Sequence, residues 1–293
     1  MKKLPKSVTS PIVRPTNKSL SDFFGVIGLG DLHSGSLMAP MPSGMAFTSK
    51  EGAIVNPNAI QTKLMGILEE TVAEALDNMK GKPALLVFGG DQCEGVHHGG
   101  QQIVTDQPKE HEEIFKKIAA PIVERVKKDG GELLVLNGTD CHDRLSADSI
   151  GKHFNALRDE LTGKYCFDRC QVFMRGCLMD FAHHQPTSSR AHTEATRMGT
   201  ILSTASYSAI RDGYPIAQLM ARWHAHNPGF FSNGRQKYIS GGHYQAHTRH
   251  GYKVVGESSQ CFGCWTAKFM DGKKLPWVDM ILRPVNFVRR VDL

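Results

Sequence analysis

Three short runs, Phe24–Leu29, Ala84–Phe88 and Leu133–Leu136, contain nothing but apolar residues and glycine, and two stretches of helical periodicity separate them. Runs without polar alternation belong to strands buried on both faces. Over residues 58–79 the apolar positions Ile60, Leu64, Ile67, Leu68, Val72, Ala75, Leu76 and Met79 mark one helix face. Over 109–128, Ile114, Ile118, Ile122 and Val126 mark another, with a kink expected at Pro121. Gly81 and Pro83 end the first helix, and Gly130-Gly131 the second. Strand–helix–strand–helix–strand predicts an α/β core whose strands lie adjacent and mostly parallel.

The second half reads less regularly. Ser146 is placed to cap a helix through Ile150, Phe154, Leu157 and Leu161. Cys170–Phe173 and Leu178–Phe181 predict a hairpin turning at Arg175-Gly176, and a long helix is expected over 192–212. Beyond Pro215 the chain reads as β-rich. At 293 residues, 40% hydrophobic and mean hydropathy −0.30, the chain buries a full core and is neither disordered nor a polytopic membrane protein. One domain over 21–293 is expected, preceded by a flexible basic arm, 1–20, rich in Lys, Pro, Ser and Thr. MKKLPKSVTS has no apolar run behind its lysines, so no signal peptide is expected. With an odd total of 7 cysteines, a reducing cytoplasm follows as the expected setting, with no membrane partner.

Catalytic groups in α/β proteins collect beyond the carboxyl ends of strands. Here those places hold acids and histidines: Gly30-Asp31-Leu32-His33, Gly89-Gly90-Asp91-Gln92, Asn137-Gly138-Thr139-Asp140-Cys141-His142-Asp143, Ala182-His183-His184 and Trp223-His224-Ala225-His226. In extended backbone, positions i and i+2 face one side, so Asp31 with His33, and His224 with His226, suit a shared ion. Carboxylate and imidazole together suit Mn, Fe, Zn or Ni, and so many donors suit two ions sharing a carboxylate. Taken singly, each block is an ordinary turn; their order is what carries weight.

That order, GDLH, GGDQCEG, GTDCHD, DFAHH and RWHAH, resembles the calcineurin-like metallophosphoesterase family over about residues 24–226. Asp91-Gln92-Cys93-Glu94-Gly95 followed by His97-His98 is most similar to its phage-encoded branch, which would place the protein in a host cytoplasm. The resemblance implies a β-sandwich of mixed sheets flanked by helices. It implies that Asp31, His33 and His226 hold one divalent ion, that Asp91 bridges two, and that His183 and His224 hold the second. His142 matches the family's catalytic histidine, which contacts phosphate and protonates the leaving oxygen. The implied activity is metal-dependent hydrolysis of a phosphate ester, foremost a phosphodiester, by hydroxide held between two ions, with nucleic acid as one candidate substrate.

Two departures stand out. The family's metal-binding Asn has no match, leaving Asp140 or Thr139, and a carboxylate is the better ligand. Arg222-Trp223 replaces the usual Gly before His224, while Gly241-Gly242-His243 with His247 offers a rival block whose i, i+4 spacing faces one side less neatly. Asp143 and Asp180 are candidates to orient the imidazoles or to make ordinary salt bridges. His97, His98 and Arg144 either contact substrate or are solvated. Cys166, Cys170, Cys261 and Cys264 have zinc-like spacing, though buried thiols are common. The net charge of +6 and the altered third block equally motivate another class: a member of the fold that binds nucleic acid or a partner with little turnover.

Overall fold

The computed structural model describes residues 12–13, 23–49, 52–97, 102–143, 146–185, 193–248 and 260–285. Its first half runs β1 (Ile12–Val13), β2 (Gly25–Leu29), β3 (Phe47–Thr48), β4 (Ile54–Val55), α1 (Ala59–Met79), β5 (Ala84–Phe88), α2 (Pro108–Lys128) and β6 (Glu132–Val135). There follow α3 (Asp140–Asp143), α4 (Ser146–His153), β7 (Arg169–Met174), β8 (Cys177–Ala182) and α5 (Glu194–Asp212). The chain then forms β9 (Leu219–Arg222), β10 (Gly229–Ser232), β11 (Lys237–Ser240), β12 (Gln260–Lys268) and β13 (Trp277–Val285). Of the expected N-terminal arm, only Ile12–Val13 are described, and they pair in parallel with β7.

The expected strands and long helices form for the expected local reasons. Asn58 caps α1 through a reciprocal capping box with Gln61, and Lys80 closes it in left-handed geometry. Helix α2 runs through Pro121, and α5 ends on left-handed Gly213. One boundary differs. The helix opening at Ser146 stops at His153, well before Leu161, because Leu157 N–H donates to the Leu133 carbonyl at 2.8 Å and draws the chain alongside β6.

Two mixed sheets face each other. One has the order β13-β12-β2-β5-β6, with β2, β5 and β6 parallel; the other is β1-β7-β8-β9-β11-β10, with β8, β9 and β11 parallel. Alternation along each strand sorts three hydrophobic layers. Val26, Leu85, Val87 and Leu134 meet Val172, Met179, Phe181, Leu219 and Ile239 between the sheets. Ile27, Leu29, Leu86, Phe88 and Leu133 face α1, α2 and α4. Leu178, Met220 and Tyr238 face α5 through Met198 and Leu202. The fold is therefore a mixed α/β sandwich with helices outside both sheets, and the parallel strands of each sheet deliver their carboxyl ends to one edge.

Gly28 lies opposite Trp265 across the β2–β12 ladder, and a Cβ there would sit 2.1 Å from the indole. Gly28→Ala is expected to lower stability by about 1–3 kcal/mol through overpacking, read as a lower urea midpoint with unchanged slope. An unchanged midpoint would show that the sheets can part freely at this point.

Candidate metal centre

The β2 and β5 ladder continues past the strands into their loops. Gly89 N–H donates to Leu29 O at 2.6 Å, Asp31 N–H to Gly90 O at 3.0 Å, His33 N–H to Asp91 O at 2.9 Å and Ser34 N–H to Gln92 O at 2.9 Å. This pairing sets Asp31 beside Asp91. The side chains converge for a reason other than strand alternation: Asp31, His33, Asp91, His224 and His226 all have φ between 47° and 71°. They are five of the nine non-glycine residues with positive φ among the described residues, a conformation costing about 1–3 kcal/mol each and concentrated at functional sites.

Trp223 forms the floor. A Cβ at Gly30, Gly89 or Gly241 would stand 2.2–2.3 Å from its indole, so the three loops close on one fully buried ring. The Trp that replaces the expected glycine thus fills a slot that glycines elsewhere vacate. Gly90 does the same for His183, where a Cβ would lie 2.4 Å from Nδ1.

The convergent atoms are close. His33 Nε2 lies 3.1 Å from His226 Nε2 and 3.7 Å from Asp91 Oδ2. His183 Nε2 lies 3.1 Å from Asp91 Oδ2. Around Asp31 Oδ1 stand His226, His183 and His33 Nε2 at 3.5, 3.9 and 4.0 Å. Asp31 Oδ1 and His183 Nε2 are nevertheless buried without a well-formed hydrogen bond. Their opposite sides are anchored: His224 N–H donates to Asp31 Oδ2 at 3.1 Å, and His183 Nδ1 meets the Gly89 carbonyl at 2.7 Å. Buried, oriented donor atoms left unsatisfied are what a cation would complete. The groupings Asp31–His33–His226, Asp31–Asp91–His183, His33–Asp91–His142 and His183–His184–His224 each bring ligand atoms within 4.8 Å of one another.

Charge reinforces this reading. Burial opposes ionisation throughout, yet the imidazoles of His226 and His183 hold Asp31 below the ordinary carboxylate range, and His183 and His33 hold Asp91 well below it. Against burial, Glu94, Asp91 and Asp31 raise His33 to about 9, and Asp91 and Asp31 raise His183 to about 9. Burial, then the charge of His33, lowers His142 to about 4.

Sequence reasoning passed over Glu94. It is buried, and its carboxylate meets His33 Nδ1 at 2.8 Å and His97 Nε2 at 3.0 Å while accepting from Gln245 Nε2 at 2.7 Å. Its carbonyl accepts from His142 Nδ1. A carboxyl three residues after Asp91 and just before Gly95 was the available signal. Asp140 is not brought in: it is exposed at the start of α3 and outside every such grouping among the described residues. Thr139 takes its place, donating from N–H and Oγ1 to Asp91 at 2.6 and 3.1 Å.

Asp143 braces the loop, accepting from Gln92 N–H and Cys93 N–H, and Asp180 is bound by Arg169 and buried Arg222; neither touches an imidazole of the cluster. His226 joins Asp31 and His33, whereas His243 stacks behind it at 4.8 Å and both His243 and His247 are buried outside the groupings. The four cysteines do not assemble. Cys166 and Cys264 sit in the helix-side core, Cys170 sits between the sheets, and no metal-competent grouping among the described residues contains a cysteine. His97 packs edge-on to His142 with ring centroids 4.6 Å apart. His98 and Arg144 lie outside the described residues.

No family model and no curated protein matches the sequence. Three similar solved structures are a predicted phosphoesterase from Streptococcus pneumoniae, a novel archaeal phosphodiesterase and Vps29 from Entamoeba histolytica complexed with zinc. The first is 10% identical, covers 89% of this chain and 97% of its own, and gives a TM-score of 0.37. The second is 10% identical, with 87% and 99% covered and a TM-score of 0.40. The third is 10% identical, with 89% and 99% covered and a TM-score of 0.36. Overlaps of this size leave the chemistry to be argued from the site. No helix of the described residues is long and apolar enough to cross a membrane.

Because His33 and His183 are raised from 6.5 to about 9 in the metal-free fold, their charge contributes stability that is complete below about pH 6.5 and lost towards pH 9. His142, His224 and His243 are lowered by burial and neutral in both states above about pH 7.5, so they do not oppose the trend. Melting temperature in chelator should fall between pH 7.5 and 9, and Mn²⁺ should restore it most at the alkaline end. A melting temperature that rises across this window in chelator would contradict the placement of the two imidazoles.

Proposed function

We propose that the protein is a metal-dependent phosphate-ester hydrolase of the calcineurin-like metallophosphoesterase type, acting foremost on phosphodiesters with two divalent ions. The observation that carries this reading is the meeting, at one edge of the sandwich, of Asp31, His33, Asp91, His183, His224 and His226 on four strand-end segments with unsatisfied buried donor atoms. When bound, two such ions lower the pKa of water and neutralise charge on the phosphoryl oxygens.

The chain's own residues supply orientation and proton handling. Glu94 and the Gly89 carbonyl hold the Nδ1 atoms of His33 and His183, turning both Nε2 atoms toward the carboxylates. Asp91 lies between the His33 and His183 flanks, the position a bridging carboxylate needs, and Thr139 fixes its angle. His142 spends Nδ1 on the Glu94 carbonyl, leaving Nε2 for a phosphoryl oxygen or for a proton delivered to the departing oxygen. A net charge of +6 favours a polyanionic ester, and a nucleic-acid phosphodiester is the substrate class placed first.

Asp91→Asn is expected to abolish both metal retention and hydrolysis of bis(p-nitrophenyl) phosphate. His142→Ala should keep the metal and slow hydrolysis by about 10²–10⁴-fold. Metal counting by plasma emission alongside the rate separates the two. Loss of metal in His142→Ala, or an unchanged rate, would overturn the role given to His142.

A further inference from the structure

The two flanks of Asp91 are unequally furnished. On one side stand Asp31, His33 and His226, so an ion there would meet two carboxylates and two imidazoles. On the other stand His183 and His224 with Asp91 itself. Thr139 occupies the place where a further ligand is expected, but its hydroxyl and its N–H both point at Asp91, and its oxygen lies 3.4 Å from His224 Nδ1. Asp140 is exposed and apart. The second flank is therefore one donor short.

His184 stands at that gap. Strand β8 ends at Ala182, so His183 and His184 are freed from the alternation that would send their rings to opposite faces. Their ring centroids are 5.0 Å apart, and His184 lies 5.1 Å from the His224 ring. Ligand atoms of all three fall within 4.8 Å of one another, with His183 buried and His184 on the solvent side. We infer that His184, on the two-ion reading, is the third imidazole of the second ion and replaces the missing oxygen ligand. The second site then offers three nitrogens, with Asp91 Oδ2 3.1 Å from the His183 Nε2 among them, a set suited to Zn²⁺ or Co²⁺, whereas the first, with two carboxylates, suits Mn²⁺ or Fe²⁺.

The test is equilibrium dialysis of the full chain against Co²⁺, with bound metal counted by plasma emission. The unsubstituted protein should bind two ions per chain. His184→Ala should weaken one of the two by about a hundredfold and leave the other unchanged. His184→Asp should restore the second equivalent, which a fold defect would not allow. Two ions bound to His184→Ala with unaltered affinity, or loss of both together, would overturn the assignment while the two-ion reading stands. Fewer than two ions on the unsubstituted protein would overturn that reading and the assignment with it.

Discussion

The indole of Trp223 is the contact on which the site depends. It lies fully buried where the two sheets meet, and the loops leaving β2, β5 and β11 reach it through Gly30, Gly89 and Gly241. Any side chain at those glycines would push a loop outward, so the approach of Asp31 to Asp91 is set by the absence of three Cβ atoms. The Trp223 backbone N–H donates to the His183 carbonyl at 2.9 Å, which joins the second sheet's loop to the same anchor. Two independent sheets thereby hold one constellation of charged groups with little freedom to drift.

Such a constellation is expensive without a cation. Asp31 and Asp91 are both buried, five residues of the cluster carry left-handed backbone, and Asp31 Oδ1 and His183 Nε2 lack a well-formed hydrogen bond. Burying like charges together is unfavourable unless something positive compensates them. In the metal-free fold, protons on His33 and His183 serve that purpose; a divalent ion would do so more completely. The backbone strain and the buried acids therefore converge on groups that could hold a cation.

Much of this was legible in the chain. Fully apolar runs separated by helical periodicity identify β2, α1, β5, α2 and β6, because packing against helices on one face and a sheet on the other demands uniform hydrophobicity. The acids and histidines after those strands followed from the same reading. What could not be read was conformation and partnership across long separations. Asp31 and His33 share a side through left-handed turns, not through strand alternation. Glu94 reaches Gln245 from 151 positions away, and Asp140 lies exposed at the start of α3 while Thr139 donates to Asp91. The early end of α4 depends on a backbone bond to β6, and tertiary pairing of that kind leaves no mark on local periodicity.

The central claim is that Asp91 joins two metal ions. Electron paramagnetic resonance of the protein loaded with Mn²⁺ tests it directly. A carboxylate bridge between two Mn²⁺ ions predicts an exchange-coupled spectrum whose multiline signal grows with the second equivalent. A single six-line signal that only increases in amplitude up to saturation would mean isolated ions and contradict a shared centre at Asp91.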